Sequence, residues 1–207
     1  MKKIIIATKN KGKTKEFKNL FRKLSGNYKV LTLNELSDSP EIIENGHSFI
    51  ENATIKAQKI FQKYGQITIA DDSGLVVDAL GGRPGIYSAR YASNHNDQAN
   101  LKKVIEEIIP IPQDKRTAHF VTALVTIGPQ GKMTNTGQVN GILLDKPLGN
   151  NGFGYDPIFY YPPLEKTFAQ MSENEKNQVS HRGKAMKKLF TAWPLYLKGE
   201  MNENINL

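Results

Sequence analysis

The chain has 207 residues, 39% of them hydrophobic and 23% charged, with a formal charge of +8. This is an ordinary globular balance for one sizeable domain, or for one domain with two lobes. With no cysteine, disulfides, thiolate chemistry and cysteine-type zinc sites are excluded, and the four histidines (His47, His95, His119 and His181) show no metal-ligand spacing. No apolar run nears membrane-spanning length, and Ile4 to Ala7 is too short for the core of a signal peptide. A cytoplasmic location is therefore expected. The positive charge implies attraction to polyanions, whether nucleic acid, a membrane surface or a nucleoside triphosphate.

In chain order, Ile4, Ile5 and Ile6 predict a short buried strand. Phe17, Leu20, Phe21 and Leu24 then recur at helical spacing. Tyr28 to Leu33 reads as a second strand and 34–47 as a loop. Phe49, Ile50, Ala53, Ala57, Ile60, Phe61 and Tyr64 mark a long amphipathic helix stopped by Gly65. Ile67 and Ile69 alternate with polar residues, predicting a strand that ends at Asp71-Asp72-Ser73-Gly74, with a further strand at Leu75–Val77. Asp97 is expected to cap a helix carrying Leu101, Val104, Ile105 and Ile108, broken by Pro110 and Pro112. Residues 116–128 and 132–144 form a hairpin about Pro129-Gln130-Gly131. Pro157–Tyr161 reads as an aromatic strand, Ser172 and Glu175 as a capping box, and Ala185 to Leu197 as a last helix bent or ended near Pro194. The class is α/β with a mixed sheet. Residues 1–199 are expected to form the domain and 200–207 a loose polar tail.

Two segments carry competing readings. Ala7-Thr8-Lys9-Asn10-Lys11-Gly12-Lys13-Thr14 matches a relaxed P-loop with alanine in place of the first glycine, and Ile67–Asp71 could serve as the apolar strand and acid of a Walker B element. That reading predicts a kinase or ATPase, although Ala7 lacks the glycine that eases the phosphate-wrapping turn. The second concerns Asp71-Asp72-Ser73-Gly74, followed by Gly81-Gly82-Arg83-Pro84-Gly85. Buried adjacent carboxylates need a cation or strong donors, and hard oxygen ligands suit magnesium. A basic nucleic-acid-binding module is a third class, but no helix-turn-helix, zinc or RRM signature supports it.

The run from Ala70 to Ala92 resembles the inosine triphosphate pyrophosphatase family, the dITP/XTP pyrophosphatases. So do Thr8 to Lys13, Phe153-Gly154-Tyr155-Asp156-Pro157 and Ser180-His181-Arg182-Gly183, all in family order. The resemblance implies an elongated mixed sheet flanked by helices, two lobes with the active cleft between them, and commonly a homodimer. It implies magnesium-dependent hydrolysis of ITP, dITP and XTP to monophosphate and pyrophosphate, with no nucleic-acid or membrane partner. On this resemblance Asp72 is the general base and a metal ligand, and Thr8, Lys9, Asn10, Lys11, Gly12, Lys13 and Ser73 bind the substrate. Phe153, Gly154, Tyr155, Asp156, Lys176, His181 and Arg182 meet the base or phosphates; Tyr87, Arg83 and Arg90 lie behind them. The family's acidic pair falls on Ile43 and Glu44, and isoleucine cannot bind metal. Glu44 is thus the expected second ligand, with Glu41 as the alternative; Glu16, one turn past Gly12, is a further candidate metal contact, read first as a solvated helix acid.

Overall fold

A computed structural model describes residues 2–22 and 28–200. The strands are β1 Lys2–Ile6, β2 Tyr28–Thr32, β3 Ile67–Val77, β4 Thr117–Gly128, β5 Gly131–Leu143, β6 Phe159–Tyr161 and β7 Lys166–Thr167. They make one mixed sheet in the order β2-β1-β3-β4-β5-β6-β7. β1 runs parallel to both β2 and β3, while β6 is antiparallel to β5 and β7. The helices are α1 Lys11–Phe21, α2 Phe49–Tyr64, α3 Asp97–Ile108, α4 Glu173–Val179 and α5 His181–Lys198. No helix among the described residues is long and apolar enough to cross a membrane.

The chain divides into two compact units, Met1–Asp72 with Thr122–Thr136 and Lys184–Leu207, and Ser73–Val121 with Gly137–Gly183. In the first unit both faces of the sheet are covered, which is why β1 is apolar without alternation. Ile4, Ile6 and Ile69 pack with Phe17, Leu20 and Phe21 of α1 and with Met186, Leu189 and Trp193 of α5. Ile5, Ala7 and Ala70 pack on the other face with Ala53, Ala57 and Ile60 of α2. Each large apolar side chain so buried contributes about 1.5–3 kcal/mol relative to exposure. In the second unit Leu75, Val77, Val104, Ile108, Tyr155, Phe159 and Phe168 share one core. Within it the rings of Phe120 and Phe159 stand 4.6 Å apart, and those of Phe159 and Phe168 4.8 Å.

Local signals set the helix ends. The Asn10 side chain accepts from Lys13 N at 2.9 Å to open α1, and Ser48 Oγ accepts from Glu51 N at 3.1 Å to open α2. Gly65 ends α2 in the left-handed region at φ 61°. The Ser172/Glu175 capping box opens α4.

Several boundaries differ from the sequence expectation. β3 does not end at Asp71-Asp72 but runs unbroken through Ser73 and Gly74. β1 pairs with β3 only over Ile67–Ile69, so it is β4 on the other side, with Thr122 beside Asp71, that carries the strand through the tetrapeptide and overrides its turn preference. The cap of α3 is Asn96, whose side chain accepts from Ala99 N, and Asp97 is the first helical residue. The aromatic strand is confined to Phe159–Tyr161. α5 continues past Pro194 to Lys198, because buried Leu189, Ala192, Trp193 and Tyr196 flank the proline on both sides and offset its missing hydrogen bond. Leu24 and residues 201–207 of the expected tail lie outside the described residues.

Candidate active site

Strand alternation sends the two adjacent acids of β3 to opposite faces. Asp71 shares the face of α1, where Lys13 Nζ lies 2.5 Å from its Oδ2 and Thr122 Oγ1 donates to its Oδ1. Asp72 shares the face of α2, where Lys56 Nζ donates to its Oδ1 at 3.2 Å. The same ammonium donates to Glu44 Oε2 at 2.7 Å, so one lysine joins the two carboxylates. The Asp72 Oδ2 atom is buried and has no hydrogen-bond partner. Burial pushes the Asp72 carboxyl above the usual carboxylate range, against the lowering pull of Lys56 and Lys13. Burial works the other way on Lys56, but Asp72 and Glu44 outweigh it and hold its ammonium above the ordinary lysine value.

The loop before α1 is built for a helix start. Ala7 N still pairs with Ile69 O at 2.8 Å, so this alanine belongs to the strand edge. Asn10 N donates to Thr8 Oγ1 at 3.2 Å, and Thr8 is buried. Lys9 and Lys11 are exposed and Gly12 is half-buried. The backbone N–H groups of the first turn and these lysines make a local anion-attracting surface. Asn10 spends its side-chain oxygen on the cap. Glu16, expected as a solvated acid, is instead buried on α1. Glu41 is exposed, whereas Glu44 is half-buried against Lys56.

The second unit brings together a different set. Asp156 Oδ2 accepts from Phe153 N at 2.8 Å and from Lys176 Nζ at 2.6 Å, closing the Phe153–Asp156 turn on its own carboxylate. Lys176 is buried, not a surface lysine, and stands 4.9 Å from the Phe153 ring centre. Arg182 Cζ lies 5.8 Å from the same ring, and Arg182 Nη2 donates to Ser73 Oγ at 3.0 Å. His181 stacks on Phe120 with ring centres 4.8 Å apart. His181 and Arg182 open α5, so both project from its first turn. Tyr155 belongs to the core. Its hydroxyl donates to Ser88 O at 2.8 Å, and burial raises its pKa well above that of a free phenol. Gly154 N donates to Asp97 Oδ2 at 3.1 Å. Tyr87 is exposed with Arg90 5.1 Å over its ring, and Arg83 pairs with Glu107 at 3.4 Å.

Among the described residues no three or more histidine or acidic side chains cluster as a ready-made metal cage. The donors at Asp72 and Glu44 nevertheless fit magnesium. They are hard oxygens, one buried oxygen of Asp72 has no partner, and magnesium commonly takes only one or two carboxylates beside water and phosphate.

Sequence reasoning missed Lys56 and the Thr122–Asp71 bond. Lys56 had a legible signal: by helical spacing it borders the apolar stripe of α2, three residues after Ala53 and four before Ile60. A lysine there must find an acid. Thr122 had none, because its contact depends on which strand lies beside β3.

The Ham1 family model matches residues 4–192. The chain is 46% identical over 200 residues to a dITP/XTP pyrophosphatase of Leuconostoc mesenteroides, covering 96% of this chain and all of that one. It is 49% identical over 191 residues to a dITP/XTP pyrophosphatase of Bacillus licheniformis, covering 91% and 96%. Its fold is similar to the solved Ham1 protein of Staphylococcus aureus, with a TM-score of 0.81, 41% identity, and 97% and 100% of the two chains covered.

Proposed function

The chain belongs to the Ham1 family, and from that premise we propose that it is a pyrophosphatase that hydrolyses dITP, XTP and ITP to the monophosphate and pyrophosphate. This activity clears deaminated purines from the nucleotide pool. The protein acts as a cytoplasmic homodimer, with residues 1–199 as one domain and without nucleic-acid or membrane partners. The observation that carries it is Asp72, buried on β3 with one oxygen on Lys56 and the other without a partner.

Asp72 and Glu44 are the residues to hold a magnesium ion, which when bound neutralises phosphate charge and makes a nearby water more acidic. Thr8, Lys9, Asn10, Lys11, Gly12 and Lys13 bind the phosphates through ammonium groups and first-turn N–H donors. Asp72 accepts the proton of the water whose oxygen bonds to the α-phosphorus, and the bond from that phosphorus to the bridging oxygen breaks as pyrophosphate leaves. Such a base must be ionised, and Lys56 and Lys13 favour that form against burial.

The residues of the second unit judge the base. Phe153 offers a stacking face, and His181 and Arg182 donate to the 6-keto oxygen of hypoxanthine or xanthine, with Ser73 holding Arg182. Asp156 accepts from the ring N–H of the base; it also accepts from Phe153 N and Lys176 Nζ, which sets the shape of the turn. Adenine presents an amino group instead of the keto oxygen. A buried polar group left unpaired costs roughly 1–3 kcal/mol, so two mismatches give about hundredfold discrimination or more.

The test is incubation with ITP, XTP, dITP or ATP and magnesium, detecting pyrophosphate and orthophosphate separately. Pyrophosphate from the first three and little product from ATP is the expected result. Orthophosphate released from ATP would favour the P-loop kinase or ATPase instead. Asp72→Asn should abolish turnover, and near-normal turnover would remove Asp72 from its role.

A further inference from the structure

α2 carries two buried polar residues one helical turn apart, Asn52 and Lys56, and both reach the segment that bears Glu44. Asn52 Oδ1 accepts from Gly46 N at 2.8 Å, and Glu51 Oε2 accepts from His47 N at 2.7 Å. Gly46 is pressed close to the helix: a Cβ added there would stand 2.7 Å from Glu51 Cβ and 2.8 Å from Asn52 Oδ1. The segment is thereby fixed at backbone level just after Glu44. The remaining link is electrostatic. Lys56 Nζ, on a side chain only 9% exposed, spans Glu44 Oε2 at 2.7 Å and Asp72 Oδ1 at 3.2 Å.

Two carboxylates facing one small space repel each other unless a cation lies between them. We propose that Lys56 is that cation in the metal-free protein: a positioning residue that holds Glu44 and Asp72 at shared-cation spacing and competes with the incoming divalent ion for Glu44. The inference rests on the assignment of those two acids as the metal site.

The geometry separates the two oxygens of Asp72. Oδ1 is engaged by Lys56, and Oδ2 is buried without a partner, so one oxygen stays ready for a dication while the lysine occupies the other. Glu44 is different, because its Oε2 is already bound to Lys56. A dication that takes both acids must therefore share Glu44 with the ammonium or displace it. With Lys56 charged, the three side chains sum to one negative charge; without it they sum to two. Removing the lysine should thus loosen the metal-free site and tighten the metal-bound one. A merely structural lysine would weaken both, and a lysine used only for substrate phosphate would change neither.

Thermal unfolding of wild type, Lys56→Met, Lys56→Arg and the double variant Lys56→Met/Glu44→Gln, each in EDTA and in excess magnesium chloride, tests this. Direct magnesium titration by calorimetry without nucleotide accompanies it. In EDTA, Lys56→Met should melt several degrees below wild type, Lys56→Arg should retain most of the midpoint, and the double variant should recover part of the loss. Magnesium should narrow the gap, and Lys56→Met should bind it at least about tenfold more tightly than wild type, a unit charge beside a dication being strongly repelled even at an effective dielectric of 20. Equal midpoints for wild type and Lys56→Met in EDTA would overturn the clamp, as would weaker magnesium binding by the variant. If Lys56→Met does not fold, Glu44→Gln against the double variant decides: a drop of only a few degrees on adding Lys56→Met to Glu44→Gln supports the clamp, and a double variant that also fails to fold refutes it. No magnesium-dependent shift in any form overturns the metal placement and the competition together. Normal metal shifts with equal EDTA midpoints sink the clamp alone.

Discussion

Asp71 and Asp72 are neighbours in sequence but answer to different cations, Asp71 to Lys13 of α1 and Asp72 to Lys56 of α2. The strand pleat turns them to opposite faces, so each is neutralised by the helix covering its own side. Asp71 is saturated by Lys13 and Thr122, and only Asp72 keeps an oxygen without a partner.

Asp71→Asn should therefore be a stability variant first. The Asp71 side chain is fully buried and its partner Lys13 only 15% exposed. Removing one member of such a pair leaves an uncompensated charge, expected to cost about 3 kcal/mol, at the low end because Lys13 keeps some contact with water. Urea unfolding measures it, and a loss under about 0.5 kcal/mol would contradict the pairing. KM for ITP should also rise, since Lys13 loses its fixed place in the phosphate loop.

Asp72→Asn should behave in the opposite way. The isosteric amide removes a carboxylate that burial disfavours, and Lys56 keeps Glu44 as its partner. Turnover should vanish while the unfolding midpoint stays within a few degrees of wild type, the usual division between activity and stability at a strained site. A collapse of the midpoint would show that Asp72 is structural.

Gly152→Ala probes the base-side turn. Gly152 has φ 77°, and a Cβ there would fall 2.0 Å from Asp156 Oδ2, which anchors Phe153 N and Lys176. Both the backbone strain and the collision act on that turn, with an expected cost of about 1–3 kcal/mol. Steady-state kinetics should show a higher KM for ITP and a smaller preference for ITP over ATP; unchanged kinetics would separate the turn from recognition.

Glu175 gives a pH signature. Its hydrogen bond from Lys166, and then those from Ser172, lower its pKa to about 2. A depressed carboxyl contributes stability that is fully present above its unfolded value near 4.5 and is lost as pH falls toward 2. Unfolding midpoints of wild type should fall across that window, and Glu175→Gln should flatten the fall while lowering the midpoint slightly at neutral pH. Parallel curves for the two proteins would rule the effect out.

Much of the local structure was legible from residue pattern alone. Three successive isoleucines in β1, the apolar stripe of α2 with Gly65 at its end, and the Ser172/Glu175 box are local signals, and each appears where the sequence puts it. The gaps share a cause. Asp-Asp-Ser-Gly reads as a turn because turn preference is local, whereas β3 is carried through it beside β4, a strand distant in sequence. At Pro194 the pattern leaves a bend or an end open, and the helix does not end there because elements distant in sequence bury Trp193 and Tyr196.

By itself the sequence determined the order of elements, the acids and donors available, and the family to which they belong. Tertiary structure alone decided which acid is saturated and which keeps an oxygen without a partner. Strand parity divides Asp71 from Asp72, but the identity of the cation facing each depends on which helix packs on which side of the sheet. That choice is fixed by long-range burial, to which neighbouring residues in the chain carry no reference.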